Sequence, residues 1–123
     1  MKKRLNGLAL VLTFALVQPV LSHEEKPRHG GVVSEAKDLN FELVNQNGNA
    51  VIYILDHDQP VDTAKASGKL TVLNGSEKTE ADLQPAGENR LTSAGKVSLG
   101  KGAKAIASLT LGEMKVSVRF AVK

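Results

Sequence analysis

Short runs that alternate apolar and polar residues, each closed by small turn-forming residues, fill most of this chain and limit what it can fold into. The clearest pair lies at the end. In EMKVSVRFAVK (113–123), Met114, Val116, Val118, Phe120 and Val122 share one face, and Lys115, Ser117 and Arg119 share the other, the period of a strand. AKAIASLTL (103–111) precedes it across a tight turn at Gly112-Glu113. LNFELV (39–44) alternates in the same way through Leu39, Phe41 and Leu43. AVIYILDH (50–57) is apolar on both faces, with Val51, Tyr53 and Leu55 on one and Ile52 and Ile54 on the other, which predicts a central strand. Asn47-Gly48 and Asn74-Gly75 supply residues that tolerate positive φ and read as hairpin turns. GKLTVLN (68–74) is a further strand. EKTEADLQP (77–85) alternates weakly and reads as an edge partner, and a short strand surrounds Leu91. About seven or eight such strands predict an all-β domain, either a small antiparallel β-sandwich of Ig-like type or a barrel. The pattern leaves strand order and that choice open, and no segment after the leader has a helical period.

The first 22 residues stand apart. Lys2, Lys3 and Arg4 are followed by the apolar run Leu8 to Val17, a helix break at Gln18-Pro19, and VLS. This is the three-part pattern of a secretory signal peptide, with a run too short to span a bilayer. Cleavage is expected after Ser22, which makes His23 the first residue of the exported protein. No cysteine is present to carry a lipid anchor. The expected organisation is therefore a signal peptide at 1–22, an extended arm at 23–29 (HEEKPRH), and a β domain at 30–123 in the periplasm.

Removing the leader changes the charge argument. The chain has 16 Lys and Arg against 13 Asp and Glu; without Lys2, Lys3 and Arg4 the basic count is 13 and the domain is near neutral. No basic patch with interleaved aromatics remains, so nucleic acid is not an expected partner, and no later segment is long and apolar enough to be membrane-spanning. With cysteine absent, any metal site must use nitrogen and oxygen donors.

Two of the three histidines fall in the arm. His23, as the first residue, would offer an α-amine and an imidazole that can close a chelate ring on one ion, and both groups lose their protons at little cost near neutral pH. His29 precedes Gly30-Gly31, where the backbone leaves room around it. His57 lies in Asp56-His57-Asp58 at the exit of the central strand, flanked by carboxylates that raise its pKa and can serve as ligands or orient the ring. A site built from His23, His29, His57, Asp56 and Asp58 suits Cu(II) first, then Ni(II) or Zn(II). Against it, arm histidines commonly bind nothing, Asp-His-Asp before a proline also makes a solvated turn, and the spacing matches no strong metal signature. No nucleophile elbow, His-Glu-x-x-His or phosphate loop occurs, so the chain is not expected to be an enzyme.

PRHGGVVSEAKDLNFELV (27–44) and DHDQPVDTAKASGKLTVLNGSEKTEADLQPAGENRL (56–91) carry a resemblance. The chain resembles the small N-terminal module of periplasmic adaptor (membrane-fusion) subunits of heavy-metal RND efflux pumps, and related stand-alone periplasmic proteins. His29-Gly30-Gly31 and the run from Asp56 to Asp62 carry most of the likeness. The resemblance implies a periplasmic role in handling copper, zinc or cobalt, with heavy-metal efflux components as partners. The adaptors' helical hairpin and lipoyl-like domains have no counterpart in these residues, so a stand-alone metal-binding or accessory protein is expected. The competing expectation is a metal-free interaction module that docks on an envelope partner.

Overall fold

A computed structural model describes residues 26–123; the leader, the expected cleavage bond and His23 lie outside the described residues. Among the described residues nine strands form one antiparallel sheet: β1 (Val32–Ala36), β2 (Leu39–Gln46), β3 (Asn49–Asp56), β4 (Gln59–Pro60), β5 (Ala66–Asn74), β6 (Glu77–Pro85), β7 (Arg90–Lys96), β8 (Lys104–Leu111) and β9 (Met114–Ala121). The order is β1-β2-β3-β7-β6-β5-β8-β9, with the two-residue β4 added to β3. The ends of this sheet curl towards each other. β1 approaches β9, and the Ser34 hydroxyl donates to the Arg119 carbonyl across the seam. The domain is thus all-β, a single sheet nearly closed into a barrel rather than two stacked sheets. Closure leaves little free edge.

Turn chemistry sets the register. Lys37-Asp38, Asn47-Gly48 and His57-Asp58 each occupy a two-residue loop with φ positive at both positions, the type I′ arrangement that matches strand twist. Two expected features come out differently. β6 is not an edge strand but lies between β7 and β5. Its weak alternation has a local cause: β7 pairs with it only from Leu83 to Pro85, so Glu77–Asp82 have a strand neighbour on one side alone. Met114 belongs by parity to the inner face but is 38% exposed at the turn end of β9, whereas Val116, Val118 and Phe120 are buried. The segment after β7 forms no strand, although Val97 is buried and donates its N–H to the Gly48 carbonyl at 2.9 Å.

The barrel interior holds Phe41, Ile52, Ile54, Leu70, Val72, Leu91 and Val118, all essentially inaccessible. Burial of each such side chain contributes about 1.5–3 kcal/mol. β2 and β3 also bury their outward residues Val44, Val51 and Tyr53 in a second, small cluster. An outer barrel face is ordinarily wet, so something must help to cover it here. The arm does so.

Candidate functional site

Glu42 and Tyr53 are cross-strand partners on β2 and β3, both on the outer face. Glu42 is only 6% exposed. A carboxylate buried this deeply requires donors, and the arm supplies them. Its Oε1 accepts the Arg28 N–H at 2.9 Å, and its Oε2 accepts the N–H groups of His29 at 2.8 Å and Gly31 at 2.9 Å. The His29 Nδ1 lies 3.1 Å from Oε1. Burial raises the Glu42 pKa, but the N–H groups of Gly31, Arg28 and His29, with the His29 imidazole, outweigh it and hold the carboxyl below its ordinary value. The arm is therefore pinned to the barrel by a backbone cradle around one anion.

The His29 ring lies parallel to the Tyr53 ring, centroids 3.6 Å apart and planes 5° apart. The Tyr53 hydroxyl accepts from Gln46 Nε2 at 2.6 Å, which fixes the lower ring. The two glycines after His29 do different work. Gly30 has φ +78° with open space around it, whereas a Cβ on Gly31 would overlap the Leu43 carbonyl oxygen. The room expected around His29 is in fact a need for the backbone to approach β2.

The Asp56-His57-Asp58 run forms the end of β3 and the tip of the β3–β4 hairpin. His57 has φ +51° and Asp58 +71°, a conformation that costs a β-substituted residue about 1 kcal/mol. His57 Nδ1 lies 2.7 Å from Asp56 Oδ1. The hydrogen bond to Asp56, then the charge of Asp56, raise the His57 pKa, with smaller contributions from Asp38 and Asp58. Asp38 comes from the β1–β2 turn. The Arg28 guanidinium meets Asp58 Oδ1 at 2.8 Å, so the residue before His29 is tied to the residue after His57.

The structure thus connects the arm to the hairpin tip through Arg28 and Asp58, not through a shared ring of ligands. Asp58 is engaged by Arg28, Asp56 by His57, and Glu42 takes His29. Among the described residues no group of three or more His, Asp or Glu side chains is placed to hold a metal ion. The groups left to offer an ion are the Nε2 atoms of His29 and His57, whose side chains are 39% and 83% exposed, and the outer oxygens of Asp56 and Asp58. Glu42, Tyr53, Arg28 and Asp38 were not singled out by the sequence pattern. The signal for Tyr53 was there: β3 is apolar on both faces, so its outer face requires a cover.

Beside the stack, between arm and barrel, lies a cavity of about 150 Å³. Val33, Tyr53, Leu55 and Pro60 line it, and Lys26 and Arg28 stand among its polar residues. Among the described residues no helix is long and apolar enough to cross a membrane. Compared with known proteins, the chain matches no family model, no curated protein and no solved structure, so the likeness to efflux adaptors rests on the residues quoted for it.

Proposed function

We propose that this chain is an exported, periplasmic metal-binding accessory protein of heavy-metal efflux or resistance, taking a divalent copper or zinc ion through imidazole Nε2 atoms. One observation carries the reading: each described histidine has its Nδ1 against a carboxylate, His29 on Glu42 and His57 on Asp56. An ionised carboxylate can only accept, so Nδ1 carries the hydrogen in the neutral ring and Nε2 presents its lone pair. This is the tautomer that metal-ligating histidines use, oriented and made more basic by the carboxylate behind it.

The Arg28–Asp58 pair further supports the reading, because it ties the segments bearing the two rings. His23, at the head of the exported chain, would add its amine and ring to complete an ion's coordination. Asp56 would act behind His57 rather than as a ligand, and Asp58 would bind metal only by giving up Arg28.

Calorimetric titration of the exported protein with Cu(II) and Zn(II) tests this. Saturable binding of a single ion at sub-micromolar affinity, weakened by His29→Ala and by His57→Ala and by acid, is expected. Absence of saturable binding, or binding indifferent to both substitutions, rejects the reading and leaves a metal-free docking module.

A further inference from the structure

The cavity under the arm has a shape and charge that the metal reading does not use. It lies on the outer face of the sheet, where β1, β2, β3 and β4 run side by side. Val33 pairs with Glu42, Glu42 with Tyr53, Asn40 with Leu55, and Leu55 with Pro60. These pairs put Val33, Glu42 and Tyr53 in one outward row and Asn40, Leu55 and Pro60 in the next. Lys26, Arg28 and His29 of the arm line the hollow over these two rows, and the flat His29–Tyr53 stack forms a wall. Asn89 closes the far side, held by its Nδ2 donating to the Ile54 carbonyl at 3.1 Å and its own carbonyl accepting the Ile54 N–H at 3.0 Å.

Size limits the occupant. An apolar hollow of about 150 Å³ holds one benzene ring, so drug-sized ligands are too large. Charge limits it further. The one carboxylate in the lining, Glu42, is already surrounded by three backbone N–H groups and an imidazole. Arg28 is paired with Asp58, and Lys26 has no ion-pair partner among the described residues. Among the described residues, the charge at this cavity without an ion-pair partner is therefore the Lys26 cation, above an apolar floor.

The geometry points to a binding site for a small aromatic carboxylate: the ring enters the hollow lined by Val33, Leu55 and Pro60, and the carboxylate meets Lys26. The arm acts as the roof, so the site exists only while Glu42 holds the arm down. This goes beyond the metal reading and needs no metal.

Benzoate and its uncharged isostere benzamide, added to the full exported chain in the presence of a chelator and followed by amide and methyl NMR shifts, test the inference. Benzoate is expected to give saturable shifts at Val33, Asn40, Leu55 and Asn89 with Kd on the order of 1 mM. Lys26→Gln, at an exposed position that leaves the fold intact, is expected to weaken benzoate about tenfold, the size of one charge-assisted hydrogen bond, and to leave benzamide unchanged. Leu55→Trp is expected to abolish both by filling the hollow. Three results overturn the inference: no saturable shifts with benzoate, equal affinity for benzoate and benzamide, or wild-type benzoate affinity in Lys26→Gln. Because the chelator removes metal throughout, none of these results bears on the proposed ion site.

Discussion

The imidazole of His29 lies flat on the phenol ring of Tyr53, with centroids 3.6 Å apart and planes 5° apart, while its Nδ1 faces the buried carboxylate of Glu42. One contact fixes the plane of the ring and the other fixes its rotation. A histidine in an irregular arm thus has both its ring plane and its rotation set by residues of β2 and β3.

Glu42 is the residue on which that order depends. In Glu42→Gln one carboxylate oxygen becomes an NH₂ that faces N–H donors instead of accepting from them. Loss of about 2–4 kcal/mol is expected, given about 1–3 kcal/mol for each buried donor left unsatisfied. Urea unfolding reads the loss, and amide exchange at Arg28, His29 and Gly31 is expected to lose protection while the β5–β8 ladder keeps it. Unchanged protection at those three amides would contradict the arm's dependence on Glu42.

Acid is expected to loosen the same contact. A carboxyl whose folded pKa is depressed contributes stability that is present above its unfolded pKa and is lost as pH falls through the folded one. The shifts of the Arg28, His29 and Gly31 amides should therefore titrate together, with a midpoint below the ordinary glutamate value of 4.5. The exposed His57–Asp56 pair has the opposite sign: its raised histidine pKa favours folding below the unfolded pKa, and the benefit fades as pH rises through the folded one. Full exposure keeps that contribution small. A midpoint for the three amides at or above 4.5 would show that the N–H cradle does not outweigh burial.

Adjacent glycines should respond differently to the same substitution. Gly31→Ala places a methyl on the Leu43 carbonyl, with Val44 also close, and is expected to cost about 2–3 kcal/mol or to displace the arm. Gly30→Ala meets nothing and retains only the strain of φ +78°, about 1 kcal/mol. Thermal or urea midpoints of the two variants check the order; a larger loss for Gly30→Ala would contradict it.

The hairpin tip carries strain that a better turn would relieve. His57→Asn with Asp58→Gly installs the favoured type I′ pair, as Asn47-Gly48 already has, and is expected to gain about 0.5–1 kcal/mol. The lost Arg28–Asp58 pair is exposed on both sides and offsets little of this. The same variant is expected to lose metal affinity. A more stable protein with weaker binding would mark the Asp-His-Asp tip as retained for its chemistry; unchanged affinity would mark it as an ordinary turn.

Much of the barrel was legible because strand period and turn chemistry are local. The alternation of Val116, Val118 and Phe120, the two-sided β3, and the turns at Asn47-Gly48 and Gly112-Glu113 all appear where the pattern places them, and the turn expected at Asn74-Gly75 falls one residue later, at Gly75-Ser76. Strand order was not legible, since β3 meets β7 across a sequence gap that contains three other strands, β4, β5 and β6. Lys37-Asp38 and His57-Asp58 were hidden as type I′ turns because neither contains the glycine that usually signals one. The site was half legible. Histidine and aspartate identities drew attention to His29 and Asp56–Asp58, but the partner that positions His29 is a glutamate 13 residues away on a strand, and only burial reveals it.

The most direct test of the account is the imidazole nitrogen spectrum of the exported protein during titration with Zn(II). Before metal, in the neutral rings, the His29 and His57 Nδ1 nitrogens are expected to carry the hydrogen and Nε2 to be unprotonated. On titration both Nε2 signals should move together and saturate at one equivalent, with the Nδ1 signals nearly fixed. If the two Nε2 nitrogens stay put, or move at different metal concentrations, the rings do not share an ion and the proposed metal-binding function fails.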